Sequence, residues 1–64
     1  MAEIEVYPIA AGVNIEQDAS IATNESGYAI IDEGEPGTTY VGVACHNIDN
    51  TNGTDGDMNI EVET

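Results

Sequence analysis

Along most of this chain polar and apolar residues alternate with the two-residue period of β-strands, and no segment holds the 3.6-residue period of a helix. Residues 3–7, EIEVY, place Ile4 and Val6 on one face and Glu3, Glu5 and Tyr7 on the other. Pro8 then interrupts the strand or marks a sheet edge, because proline has no N–H to give to a ladder. Residues 12–16, GVNIE, alternate again, with Val13 and Ile15 together, and residues 19–23, ASIAT, form a short candidate strand. Residues 14–22 contain no helix breaker, so a helix there is the competing expectation. A turn at 24–27, NESG, leads into a strand at 28–32, YAIID. The loop at 33–37, EGEPG, is punctuated by Gly34, Pro36 and Gly37.

The longest β-prone run is 38–48, TTYVGVACHNI. Val41, Val43 and Cys45 share one face, while Tyr40, Ala44, His46 and Ile48 share the other. With both faces partly apolar, the run predicts a central strand. Residues 58–63, MNIEVE, turn Met58, Ile60 and Val62 inward and Asn59, Glu61 and Glu63 outward. This pattern matches the first strand, so the two ends of the chain are expected to lie side by side. The fold class that follows is all-β, a small single-domain β-barrel or sandwich of about five to six short strands. Residues 1–64 make one domain, with 1–10 either entering the sheet or extending as an arm.

Composition sharpens this picture. A chain of 64 residues with three Tyr, no Phe and no Trp must build its core from Val, Ile and Ala. One Cys excludes an internal disulfide. Domains below ~70–80 residues rarely draw more than ~3–5 kcal/mol from a single core, so help from identical copies or a partner surface is expected.

Charge is the most extreme feature: 13 Asp and Glu, no Lys or Arg, and −13 at pH 7. Every carboxylate repels the others, and salt relieves that repulsion by shortening the Debye length from ~30 Å at 0.01 M to ~3 Å at 1 M. The leading explanation is adaptation to a very salty cytoplasm, such as that of a halophilic archaeon. A merely acidic protein and a mimic of the nucleic-acid backbone are the alternatives. Without Lys or Arg, direct binding to nucleic acid or an anionic membrane is not expected. No apolar run reaches the ~20 residues of a membrane span, and the start, MAEIEV, lacks the basic region of a signal peptide.

The run DNTNGTDGD at 49–57 invites a metal reading. A helix–loop–helix calcium site needs ligands at alternate loop positions, Gly at the sixth and Glu at the twelfth. Starting from Asp55 the sixth residue is Ile60; starting from Asp49 the third and fifth are Thr51 and Gly53. Neither register works, so the run is expected to be a turn between strands, with no metal or cofactor. A weak cation site at Asp55 and Asp57 is the lesser alternative. Cys45 and His46, adjacent in a strand, would point to opposite faces and could share neither a zinc ion nor a nucleophile–base pair. The expectation for them is a small buried thiol and a surface imidazole. No phosphate loop or nucleophile elbow is present, and Glu33 and Glu35 read as a solvated loop. No catalytic residue is expected, and the chain is not expected to be an enzyme.

Gly27-Tyr28-Ala29, Val41-Gly42-Val43-Ala44, Asp49-Asn50-Thr51 with Gly53 and Gly56, and the final Ile60-Glu61-Val62-Glu63 together resemble small tailed-phage capsid decoration (cement) proteins. The resemblance covers roughly residues 20–63. It implies a virion structural protein on the outer capsid surface, made in the host cytoplasm, bound to the major capsid protein and arranged as a homo-oligomer, with a trimer favoured. The absence of basic residues fits a virus of a halophilic archaeon. Expected contact residues are Ile4, Val6, Tyr7, Pro8 and Ile9 near the N-terminus and Glu33, Gly34, Glu35, Pro36 and Gly37 in the loop. An acidic inhibitor of a nucleic-acid enzyme, and a vertex or tail component, are the alternative functions.

Overall fold

The computed structural model describes residues 3–64, and every regular element in them is a β-strand. In chain order these are β1 (Ile4–Pro8), β2 (Asn14–Ile15), β3 (Ser20–Thr23), β4 (Ala29–Ile31), β5 (Thr39–Ala44), β6 (Ile48–Asp49) and β7 (Asn59–Glu63). A five-stranded antiparallel sheet runs β1-β7-β5-β3-β4, and β2 pairs with β6 in a two-stranded ribbon. Ile15 of the ribbon is buried with Ile21, Ala44, Ile60 and Val62 of the large sheet, and Ile48 packs against the same cluster. The architecture is therefore sandwich-like rather than a closed barrel. A single parallel bridge, Ile9 to Ala29, ties the chain leaving β1 to the far edge strand β4.

The two alternating ends of the chain pair with each other, but out of phase: Ile4 and Val6 stand opposite Glu63 and Glu61. β1 and β7 are antiparallel along their whole length, from Ile4 opposite Glu63 to Pro8 opposite Asn59. Ile60 and Val62 are fully buried while Asn59, Glu61 and Glu63 are exposed. Met58 departs from the expected pattern: it precedes β7 and is exposed, while its carbonyl accepts from the Ile9 N–H at the strand entry. Residues 4–8 lie in the sheet rather than extending as an arm; Met1 and Ala2 lie outside the described residues.

The run at 38–48 is not one strand. β5 ends at Ala44, the chain bends at Cys45 and His46, and Ile48–Asp49 leaves the large sheet to pair with β2. Two bonds fix the bend: Cys45 N–H donates to the Glu61 carbonyl at 2.9 Å, and Gln17 N–H donates to Asn47 Oδ1 at 2.7 Å. Hence seven strands form where about six were expected, the extra one being a piece of the supposed central strand. No helix forms over 14–22. Asp18 there takes a left-handed backbone (φ 71°) and donates its N–H to the Ala44 carbonyl, which turns β2 into β3.

Inside β5, Gly42 has φ 149° and is buried. A Cβ on it would run into the Glu63 carbonyl and lie 2.7 Å from Val62 Cγ1. The absence of a side chain lets the end of β7 close against β5. A register shift between Ile21 and Ala22 in the β3–β5 pairing sits directly opposite.

The core is aliphatic, with Ile9, Ile15, Ile21, Ile60 and Val62 as its largest fully buried apolar side chains. Each contributes roughly 1.5–3 kcal/mol by leaving water. No aromatic ring is fully buried; Tyr7 packs at the margin of the cluster. Ile9, expected among the contact residues, is instead a core residue with 0% exposure. The bridge to Ala29 draws it under the ribbon and away from the surface.

Candidate functional site

Among the described residues the exposed large apolar side chains are Ile4, Val6, Tyr40 and Met58. Ile4 and Val6 are 51% and 60% exposed and stand together on β1, the edge of the large sheet. Their cross-strand neighbours are Glu63 and Glu61. They therefore occupy the outer face, opposite the one carrying Ile60 and Val62. Tyr7 and Pro8, also expected in a contact segment, are half-buried. The Tyr7 hydroxyl donates to Glu5 Oε2 at 2.6 Å, and that bond, chiefly, raises the phenol above its ordinary pKa.

Among the described residues the backbone of β1 is paired on one side only, with β7. Thr64 N–H donates to the Glu3 carbonyl and Ile9 N–H to the Met58 carbonyl. In an antiparallel pair such bonds recur at every second residue. Glu3, Glu5, Tyr7 and Ile9 are thus the residues bonded toward β7, and the N–H and C=O groups of Ile4 and Val6 point to the open edge. Pro8 falls in the same set, so its missing N–H costs the sheet no bond, as expected for proline on an edge strand.

The second expected contact segment lies at the other edge. Glu33, Gly34, Glu35, Pro36 and Gly37 follow β4 and are all exposed. The loop is held by Gly34 N–H donating to Asp32 Oδ1 at 3.1 Å and by the Thr38 hydroxyl donating to the Glu35 carbonyl at 2.7 Å. Glu33 and Glu35 border an open depression of about 340 Å³ lined by Val13, Ile30 and Ile31. The sheet order separates this loop from Ile4 and Val6, so the two expected segments do not form one patch.

Cys45 and His46 lie in the bend rather than in a strand, with Cys45 half-buried and His46 exposed. His46 Nε2 is 3.3 Å from Glu61 Oε1, an exposed pairing with little energetic weight. Among the described residues no group of three or more His, Cys, Asp or Glu is arranged to hold a metal ion.

The Asp-Asn-Gly run contains the residue that sequence reading missed. Asn50 is fully buried. Its Nδ2 donates to the carbonyls of Ile9 (3.3 Å), Ala10 (3.0 Å) and Thr54 (3.1 Å). Its own carbonyl accepts from the N–H groups of Gly12 and Gly53, and its N–H donates to the Val13 carbonyl. Asn50 thereby ties the segment after β1 to the β6–β7 loop. Asp55 adds a second tie, accepting from Ala11 N–H at 2.7 Å. Asp49 accepts from both the hydroxyl and the N–H of Thr51, and these bonds hold its carboxyl below the ordinary carboxylate pKa. The only available signal for Asn50 was its place in a turn-forming run, where side chain–main chain bonding is common.

No family model matches this chain, and no curated protein or solved structure matches it.

Proposed function

We propose that this protein is a virion structural component that decorates the outer surface of a capsid and stabilises it by binding across major capsid protein subunits, without catalysis. The observation that carries this reading is the exposed Ile4–Val6 pair on an unpaired sheet edge of a domain with a small, aliphatic core. Binding to the folded state stabilises such a domain by mass action, and a shell offers the same surface many times over. The resemblance of residues 20–63 to decoration proteins points the same way and supplies the expectation of trimers. Carboxylates occur on β1, on β6 and β7 and in the loops between strands, rather than on one element, which weighs against nucleic-acid mimicry.

Quantitative mass spectrometry of purified particles tests the proposal. Decoration requires many copies in fixed ratio to the shell protein. Absence from particles, or a single copy per particle, removes the role; a small fixed number marks a vertex or tail component instead.

A further inference from the structure

We infer that the open edge of β1 takes an extended segment of another protein as an added strand, and that this segment alternates apolar and basic side chains. The partner's source, a shell subunit, rests on the decoration reading; the geometry of the edge does not.

Three features of β1 converge. First, Ile4 and Val6 direct both their N–H and their C=O groups away from β7, which gives an incoming strand a ladder to extend. Second, their side chains are the most exposed aliphatic pair among the described residues and lie on one face, so the added strand must bring apolar residues to that face. Third, carboxylates surround the pair on both faces. Glu61 and Glu63 stand beside Val6 and Ile4 on the outer face, while Glu3 and Glu5 alternate with them on the other.

That charge selects the occupant. Edge strands are commonly protected by charges and proline, and here the protecting charges have one sign. A second copy of this chain would pair Glu3 and Glu5 with identical carboxylates and, lacking Lys and Arg, could not compensate. A strand with Lys or Arg on one face and Val or Ile on the other meets Glu3 and Glu5 with cations and Ile4 and Val6 with apolar groups. Pro8 ends the ladder, since beyond Val6 it offers a carbonyl but no donor. The site is therefore short, and its specificity depends on the side chains.

The probe is a synthetic octapeptide of alternating Val and Lys, with alternating Val and Glu as its counterpart, added to the full chain labelled with nitrogen-15. The expected result is amide hydrogen-exchange protection by the Val–Lys peptide centred on Ile4 and Val6, and none by the Val–Glu peptide. Val6→Pro removes an N–H that β7 does not use. It should weaken the peptide by about tenfold or more, the factor that ~1.4 kcal/mol represents, while the urea midpoint of the free protein stays near that of wild type. Tyr40→Asp, at an exposed site on β5, should leave the peptide affinity within about twofold, about 0.4 kcal/mol. Protection spread over Asp55, Asp57, Glu33 and Glu35 instead of β1 would mean simple charge attraction and overturn the inference. So would protection of Ile4 and Val6 that rises with protein concentration in the absence of peptide, which identifies a second copy as the occupant. Occupancy of wild type and Val6→Pro on particles is a separate readout. Wild type absent from particles counts against decoration, and equal occupancy of both counts against this edge as the shell contact.

Discussion

Asn50 Oδ1 occupies the place where a side chain on Gly53 would begin. The two residues also share a turn bond, Gly53 N–H to the Asn50 carbonyl at 3.1 Å. This Oδ1 is buried and has no hydrogen-bond partner, so its close neighbour is the Gly53 α-carbon, a weak Cα–H contact at most. The carboxamide is turned this way because its Nδ2 serves three carbonyls at once. Gly53 is thus required for space.

Gly53→Ala is expected to destabilise the fold by about 1–3 kcal/mol, the usual cost of forcing a methyl group into a packed site. The exposed Asp57 carboxylate, 3.0 Å from the new Cβ, can turn away, but the buried Asn50 amide, fixed by three bonds, cannot. Urea unfolding in high salt measures the loss. Gly12→Ala is a poor control because Gly12 has φ 77°, but it separates strain from collision, since nothing lies within 4 Å of a Cβ there. A Gly53→Ala variant as stable as wild type would contradict the arrangement of Asn50.

Gly42→Ala should be the more damaging glycine substitution. Its Cβ meets the backbone of Glu63, which cannot rotate away as a side chain can. The expected loss is about 3 kcal/mol or more, the upper end for overpacking, because closing β5 on β7 requires that contact. Hydrogen exchange gives a specific signature: the Cys45 amide, bonded to the Glu61 carbonyl, should lose protection before the β3–β4 amides do. Uniform loss across the sheet would show that the contact is not local.

Salt should stabilise this protein. With −13 charge and no Lys or Arg, repulsion among exposed carboxylates is screened as the Debye length falls from ~10 Å at 0.1 M to ~3 Å at 1 M. The urea midpoint is expected to rise between about 0.1 M and 1 M sodium chloride, with the slope of the transition unchanged. A midpoint independent of sodium chloride over that range would remove the electrostatic argument.

Asp49 carries the clearest pH prediction. Two bonds from Thr51 hold its carboxyl below its ordinary pKa, the hydroxyl first and the N–H second. A folded pKa below the unfolded one means the carboxylate form favours the folded state. That contribution is present above the unfolded pKa and is lost as pH falls through the folded one. In a carbon-13 titration the Asp49 carboxyl should titrate at lower pH than it does in Thr51→Val, which keeps the N–H but not the hydroxyl. Equal midpoints would show that the hydroxyl bond does not persist in solution.

The sequence by itself determined the fold class and the facing of Ile60 and Val62, because a strict two-residue alternation buries one face of a strand, and the similar patterns at the two ends of the chain made the first and last strands expected neighbours. It also determined that the core would be aliphatic and the surface wholly anionic. Three matters were decided only by tertiary structure. The run at 38–48 is apolar on both faces, so nothing local marks the bend at Cys45; that bend is held because Cys45 N–H donates to the distant Glu61 carbonyl and Asn47 accepts from the distant Gln17 N–H. Ile9 reads like its neighbours Ile4 and Val6, but its bridge to Ala29 places it in the core while the edge position leaves them in water. Asn50 lies in a polar, turn-forming run and becomes the most buried polar residue among those described, since the distant carbonyls of Ile9 and Ala10 converge with that of nearby Thr54 on its side-chain amide. In each case the deciding partner lies far along the chain, so local pattern could not reveal it.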